Sequence, residues 1–256
     1  MTFALLNKPS GSIVECELTF VRRSSIDLDR AKKQHSAYAH ALEEIGVEVN
    51  ILTLNQAMPD GVFIEDTAVV LDEIAIIASM GTPSRRKEVP AVAAEIRKYR
   101  ETIKIPLPAT LEGGDVLQVG RTVYIGETVR TNSDAISWIT KTLMPLSYEV
   151  VPVKVSGCLH LKTAITALDD KTFLANPEWL DLSSFEGYRV LEVPEEESFG
   201  GNVLVANGTV LMNAAYPRTI QRVASLGFRI KTIDISEFVK AEAGLTCMSL
   251  IFDGMP

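Results

Sequence analysis

The chain has 256 residues, 46% of them hydrophobic, with 25 Lys+Arg against 33 Asp+Glu for a net charge of −8. That apolar content supports a substantial core and excludes general disorder. The acidic balance argues against a nucleic-acid binder, which needs a basic face.

No apolar run approaches the roughly 18 residues of a membrane span. The opening MTFALLNKPSGS lacks the basic and long apolar regions of a signal peptide. Three scattered cysteines, Cys16, Cys158 and Cys247, are too few for a disulfide framework. The expectation is a soluble, reduced, cytoplasmic protein, with no linker that would divide residues 1–256 into more than one catalytic domain.

In chain order, FALL near the N-terminus reads as a lone strand, and 27–46 as the longest helix, closed by a glycine before VEVNILTL. Four hairpins follow: 62–79 around Asp72-Glu73, 111–126 around Gly120-Arg121, 159–176 around Asp169-Asp170, and 202–214 around Asn207-Gly208. Asn-Gly is the strongest turn signal of the set. After each hairpin comes a helical or turn-rich segment and one more strand. Residues 88–101 precede IKIPLP, and 132–146, with an Asn or Ser cap, precede YEVVPVKV. The short 177–187 precedes YRVLEVP, and 217–227, opened by proline and closed by glycine, precedes FRIKTIDI.

Four complete hairpins leave one unit short, and the terminal CMSLIF can pair with FALL to supply it. Units of roughly 45 residues indicate radial or solenoid architecture, and ends that complete each other favour a closed ring. The predicted fold is an α/β, five-bladed propeller closed by the two termini.

One polar position stands at or before each first strand: Glu65-Asp66, Glu112, His160, Asn202 and Cys247, at steps of 42 to 48 residues. Pseudo-fivefold symmetry would gather these around one axis. A lone terminal Cys247 is by itself most simply a small hydrophobe. In company with a histidine and acids it becomes a candidate nucleophile, since a thiol needs a base or a lowered pKa. His35 and His40, on the long helix, read as surface or packing residues, so His160 is the candidate base. Glu112 stands in LEGGD, where two glycines permit close backbone approach. Carboxylates converging on a Cys–His pair would bind a cation, and a planar guanidinium matches bidentate carboxylates. Cys158, His160 and Cys247 could alternatively ligate zinc, with Cys158 and His160 on one face of a strand. The lack of a fourth ligand counts against it.

The stretches FIEDT (63–67), SRR (84–86), LEGGD (111–115), RTN (130–132), LHLKT (159–163), PEEES (194–198), YPRT (216–219) and LTCMSL (245–250) span almost the whole chain. In this order and spacing they resemble the dimethylarginine dimethylaminohydrolases, of the guanidine-modifying superfamily built on a five-bladed α/β propeller. The resemblance implies Cys247 as nucleophile, His160 as general acid and base, and Glu112 with Asp66 as the carboxylates that hold the guanidinium. It implies that Arg85 and Arg130 clasp the substrate's α-carboxylate, which suits their fork geometry. Leu18 matches a lid residue, Asp60 and Glu65 further pocket residues, and Ala241 a backbone carbonyl facing the amino-acid end. Glu65 and Asp66, adjacent on a strand, should point oppositely. The implied reaction hydrolyses asymmetric dimethylarginine or monomethylarginine to citrulline and an amine through a covalent thiouronium, with no metal or organic cofactor. The implied partner is that small molecule, with no nucleic acid and no membrane, and the sequence leaves room for a homodimer.

The rival within the superfamily is an arginine deiminase or amidinotransferase. Those enzymes carry His-x-Asp, whereas this chain reads His160-Leu161-Lys162. From another class, a propeller without catalysis need not keep Cys, His and two acids together.

Overall fold

A computed structural model describes residues 1–254. Its strands form five sheets of three. In four of them a hairpin predicted from the sequence runs antiparallel and gains one parallel outer strand: Ala68–Val70, Ile74–Ile77 and Glu101–Lys104; then Val116–Val119, Thr122–Glu127 and Glu149–Lys154. The next two are Ile165–Ala167, Thr172–Ala175 and Arg189–Glu192, then Leu204–Ala206, Thr209–Asn213 and Arg229–Ile233. The fifth sheet is built from both ends of the chain. Thr2–Asn7 pairs antiparallel with Ser249–Asp253 and parallel with Glu48–Leu52. At Asn207-Gly208 both residues take positive φ, 46° and 70°, as a two-residue hairpin requires.

Side chains alternate across a strand, so a central strand buried on both faces serves two interfaces. Ala4 and Leu6 join the core shared with Ala206 and Leu211, whereas Leu5 joins that of Ala75 and Ile77. Ile76 packs with Val123 and Ile125; Tyr124 packs with Phe173; Leu174 packs with Val210 and Met212. Five cores therefore link each sheet to the next, and the last links the fifth sheet back to the first. The ring closes through its own termini.

Helices cover the outside. Leu28–Glu44 starts at Asp27, whose side chain accepts the Arg30 amide, and ends before Gly46 at φ 83°. Val89–Ile96 and Pro217–Ala224 carry proline in their first turns, and Ser133–Leu143 is capped by Asn132. In the PEEES run, buried Glu197 accepts the amides of Arg218 and Thr219 and caps the Pro217 helix. His40 is exposed, but His35 is buried within its helix, and burial pushes its pKa down to about 4.

The polar positions differ from expectation in one respect. They stand in or cap short helical turns, not strands: Ile64–Thr67, Gly113–Asp115, Leu161–Ala164, Glu195–Gly201 and Thr246–Met248, with Glu112 and His160 as N-caps and Asn202 as a C-cap. Thus CLHLKT is not strand-like, and Glu65 and Asp66 do not alternate across a sheet. Each turn immediately precedes its inner strand and aims polar side chains at the ring's centre.

Because Ser249–Asp253 completes the sheet that joins the two ends of the chain, truncation after Met248 should abolish cooperative unfolding in calorimetry. Leu250→Ala should lower stability by about 2–5 kcal/mol. A truncated chain with the full-length melting temperature would contradict closure through the termini.

Candidate active site

Four of the five turns bring ionisable or nucleophilic groups together. His160, at the start of its turn, places Nε2 2.9 Å from Glu112 Oε2 and Nδ1 3.8 Å from Asp66 Oδ1. All three are buried. Burial lowers the imidazole pKa, but Asp66, Asp115 and Glu112 overcome it and carry it to about 9. His160 is therefore an imidazolium at neutral pH. Burial also opposes ionisation of Asp66, yet His160 and Arg85 hold its pKa down at about 2. Glu112 is likewise kept ionised by His160 against its burial.

The glycines of LEGGD make this approach feasible. A Cβ on Gly114 would lie 2.6 Å from His160 Nδ1, and one on Gly113 would collide with the Glu65 carbonyl. The Gly114 amide donates to Asp66 Oδ1 at 3.1 Å. Asp115 completes the motif and was missed as a functional residue. It accepts the Leu161 amide at 2.9 Å and the hydroxyls of Thr128 and Thr131, which pins the backbone next to His160. Burial raises its pKa to about 6 despite His160. Only its place in LEGGD hinted at this.

The arginines sit where a cationic ligand would. Arg85 Nη1 donates to Asp66 Oδ2 at 2.6 Å, and its other nitrogens reach Glu88 and the carbonyls of Asp60 and Phe63. Arg130 Nη1 contacts Glu112 at 3.2 and 3.3 Å, while Nη2 donates to Thr19. Both carboxylates expected to hold a guanidinium already hold one from the protein. Glu88, also missed, is a buried partner of Arg85, and its burial pushes its pKa to about 7.

Cys247 is partly exposed, and its Sγ accepts the Gly244 amide at 3.4 Å. Burial, then Glu65 and Asp66, push its thiol pKa up to about 12. Glu65 turns away from Asp66. It takes Lys162 Nζ at 2.5 Å and the Thr246 hydroxyl at 2.8 Å, one residue before the thiol. It lines a separate cavity of about 410 Å³ with Lys162 and Thr246. Asn202, which ends the Glu195–Gly201 turn, accepts the Thr246 amide and so holds the cysteine turn in place.

The site cavity itself is nearly closed, with about 20 Å³ free between Asp60, Asp66, Arg85, Arg130, His160, Ala241 and Cys247. Asp60 accepts the Glu17 amide through both oxygens, and Leu18 packs on the same apolar core as Cys247. The zinc alternative finds no support in the geometry. Among the described residues the close donor cluster is Asp66, Glu112 and His160, whereas the Cys158 thiol donates to the His160 carbonyl.

Residues 14–213 match the family model described as N,N dimethylarginine dimethylhydrolase, eukaryotic. The chain belongs to the dimethylarginine dimethylaminohydrolase family. Two relatives named N(G),N(G)-dimethylarginine dimethylaminohydrolase are similar over nearly their whole lengths. That of Streptomyces coelicolor is 37% identical over 96% of this chain and 95% of its own. That of Pseudomonas aeruginosa is 35% identical over 95% and 96%. The solved dimethylarginine dimethylaminohydrolase from Pseudomonas aeruginosa, a cysteine-to-serine mutant complexed with citrulline, superposes with a TM-score of 0.93 at 33% identity, covering 98% of both chains. The hydrolase fold of this family is thus the fold described above.

The His160 pKa sets a pH test with a definite sign. Raised from 6.5 to about 9 on folding, it contributes stability that is full below pH 6.5 and is lost as pH rises through about 9. The melting-temperature advantage of wild type over His160→Gln should therefore shrink across that window. An advantage constant from pH 6 to 10 would contradict a buried imidazolium.

Proposed function

We propose that this chain hydrolyses Nω-methylated arginines, asymmetric dimethylarginine and monomethylarginine, to citrulline and dimethylamine or methylamine. One observation carries the reading: Asp66, His160 and Cys247 line a single cavity, with Glu112 buried 2.9 Å behind His160, in a family whose members bear that activity in their names. All 256 residues act as one catalytic unit, working as a soluble cytoplasmic enzyme. Among the described residues no helix is long and apolar enough to cross a membrane.

Asp66 and Glu112 bind the substrate guanidinium, which takes the places now held by Arg85 and Arg130. The displaced arginines are then free to meet the α-carboxylate, so ligand charge replaces protein charge and little desolvation is left uncompensated. Asp60, Leu18 and the Ala241 carbonyl frame the amino-acid end. The guanidinium offsets the negative field on Cys247, whose thiol loses its proton to solvent water. The thiolate adds to the guanidinium carbon, and the His160 imidazolium gives its proton to the dimethylamine nitrogen. The C–N bond breaks and a thiouronium remains on sulfur. Neutral His160 then removes a proton from water as that water adds to the carbon. The C–S bond breaks as the new hydroxyl gives its proton to solvent, releasing neutral citrulline and the thiolate. Asp115, through Leu161, and the Gly114 approach keep the imidazole oriented throughout.

Incubation of purified protein with asymmetric dimethylarginine should release citrulline, and Cys247→Ser should abolish turnover. Citrulline formed faster from unmethylated arginine would favour the deiminase reading. Arg130→Ala should raise KM roughly ten- to a hundredfold through the lost charge-assisted contact. An unchanged KM would remove Arg130 from the substrate's anionic end.

A further inference from the structure

Residues 17–20 form a strap at the cavity, with Glu17 in its lining and the Thr19 hydroxyl accepting from Arg130, and this strap is held by a residue outside the expected site. Glu242 Oε2 accepts the Thr19 amide at 2.8 Å, and its Oε1 accepts the Phe20 amide at 2.9 Å. The side chain is 8% exposed. Its backbone takes φ 61°, a region unfavourable for any residue with a Cβ. That conformation is held by a tight turn, in which the amides of Glu242 and Ala243 donate to Val239 and Phe238. A buried carboxylate spanning two successive amides is a charge-assisted clamp on the strap's backbone, independent of strap sequence.

The same turn continues into the nucleophile. Ala241, Glu242 and Ala243 line the cavity with Cys247, and the Gly244 amide donates to Cys247 Sγ. A Cβ on Gly244 would collide with the Asn202 side chain, which accepts the Thr246 amide, so the segment has little room to shift. Motion at residue 242 is therefore passed within two residues to the Gly244 amide, which donates to the thiol.

We propose that Glu242 is a positioning residue: it latches the strap at Thr19-Phe20 shut over the cavity and couples that closure to the orientation of the Cys247 thiol. The kinetic part of this proposal rests on the functional reading above; the structural part does not. Arg22 and Arg23 are exposed on the strap and report its opening to trypsin. In Glu242→Ala, tryptic nicking there should accelerate roughly tenfold or more, and iodoacetamide should alkylate Cys247 faster than in wild type. KM for asymmetric dimethylarginine should rise and kcat should fall, with Glu242→Gln, which keeps one acceptor, in between. Phe20→Pro removes one of the two amide donors from the strap's side without touching the turn, and should reproduce the nicking and alkylation changes. Nicking, alkylation and KM all at wild-type values in Glu242→Ala and Phe20→Pro would overturn the latch. Absence of turnover in wild type would instead overturn the functional reading and leave the latch to the proteolysis and alkylation results.

Discussion

The centre of the ring holds more buried carboxylate than buried cation, and the rest of the site follows from that imbalance. Asp60, Glu65, Asp66, Glu88, Glu112, Asp115 and Glu242 are all buried there, facing Arg85, Arg130, His160 and the partly exposed Lys162. Away from water such a surplus is costly unless it is paired or protonated. The protein answers in both ways. Arg85 and Arg130 settle on Asp66 and Glu112, and His160 is held as an imidazolium at about pKa 9. The least compensated groups rise instead: Asp115 to about 6, Glu88 to about 7 and the Cys247 thiol to about 12. An empty site of this kind is quiet as a nucleophile and selective for a cation.

That crowding is possible because the scaffold spends its apolar residues between blades. Each central strand feeds two cores with alternate side chains, and the termini lock the ring at Thr2–Asn7 and Ser249–Asp253. The axis is then left to the short turns before the inner strands. Charged groups from distant parts of the sequence are held there by backbone amides, as Asp115 is by Leu161 and Asp66 by Gly114. Rigid turns suit this task better than strand edges, since adjacent residues such as Glu65 and Asp66 can serve different partners.

Much of this was legible in the sequence because the signals were local or periodic. Asn207-Gly208 declares its hairpin, Asp27 and Asn132 cap their helices, and the repeat leaves CMSLIF and FALL as complementary ends. The repeat also places Glu112, His160 and Cys247 at equivalent positions. What stayed hidden depends on contacts between blades. His160 looked strand-borne because its neighbours are apolar, but the Leu161 amide donates to Asp115, 46 residues away in sequence, and turns the chain there. Long arginine side chains settle on whichever carboxylates the fold brings near, so the Arg85–Asp66 and Arg130–Glu112 pairs leave no trace in spacing. Glu242 sits in a turn with no periodicity, and only the strap it grips reveals it.

The central claim is that a cationic ligand, by neutralising Asp66 and Glu112, creates the nucleophile it then meets. It is tested most directly by titrating the ultraviolet absorbance of the Cys247 thiolate with and without a non-reacting cationic arginine analogue, using Cys247→Ser as the blank. The account predicts a thiol that stays protonated well above neutral pH in the free enzyme, an apparent pKa lowered by the analogue, and no signal in the mutant. A thiolate fully formed at neutral pH without ligand, and unchanged on adding one, would contradict it.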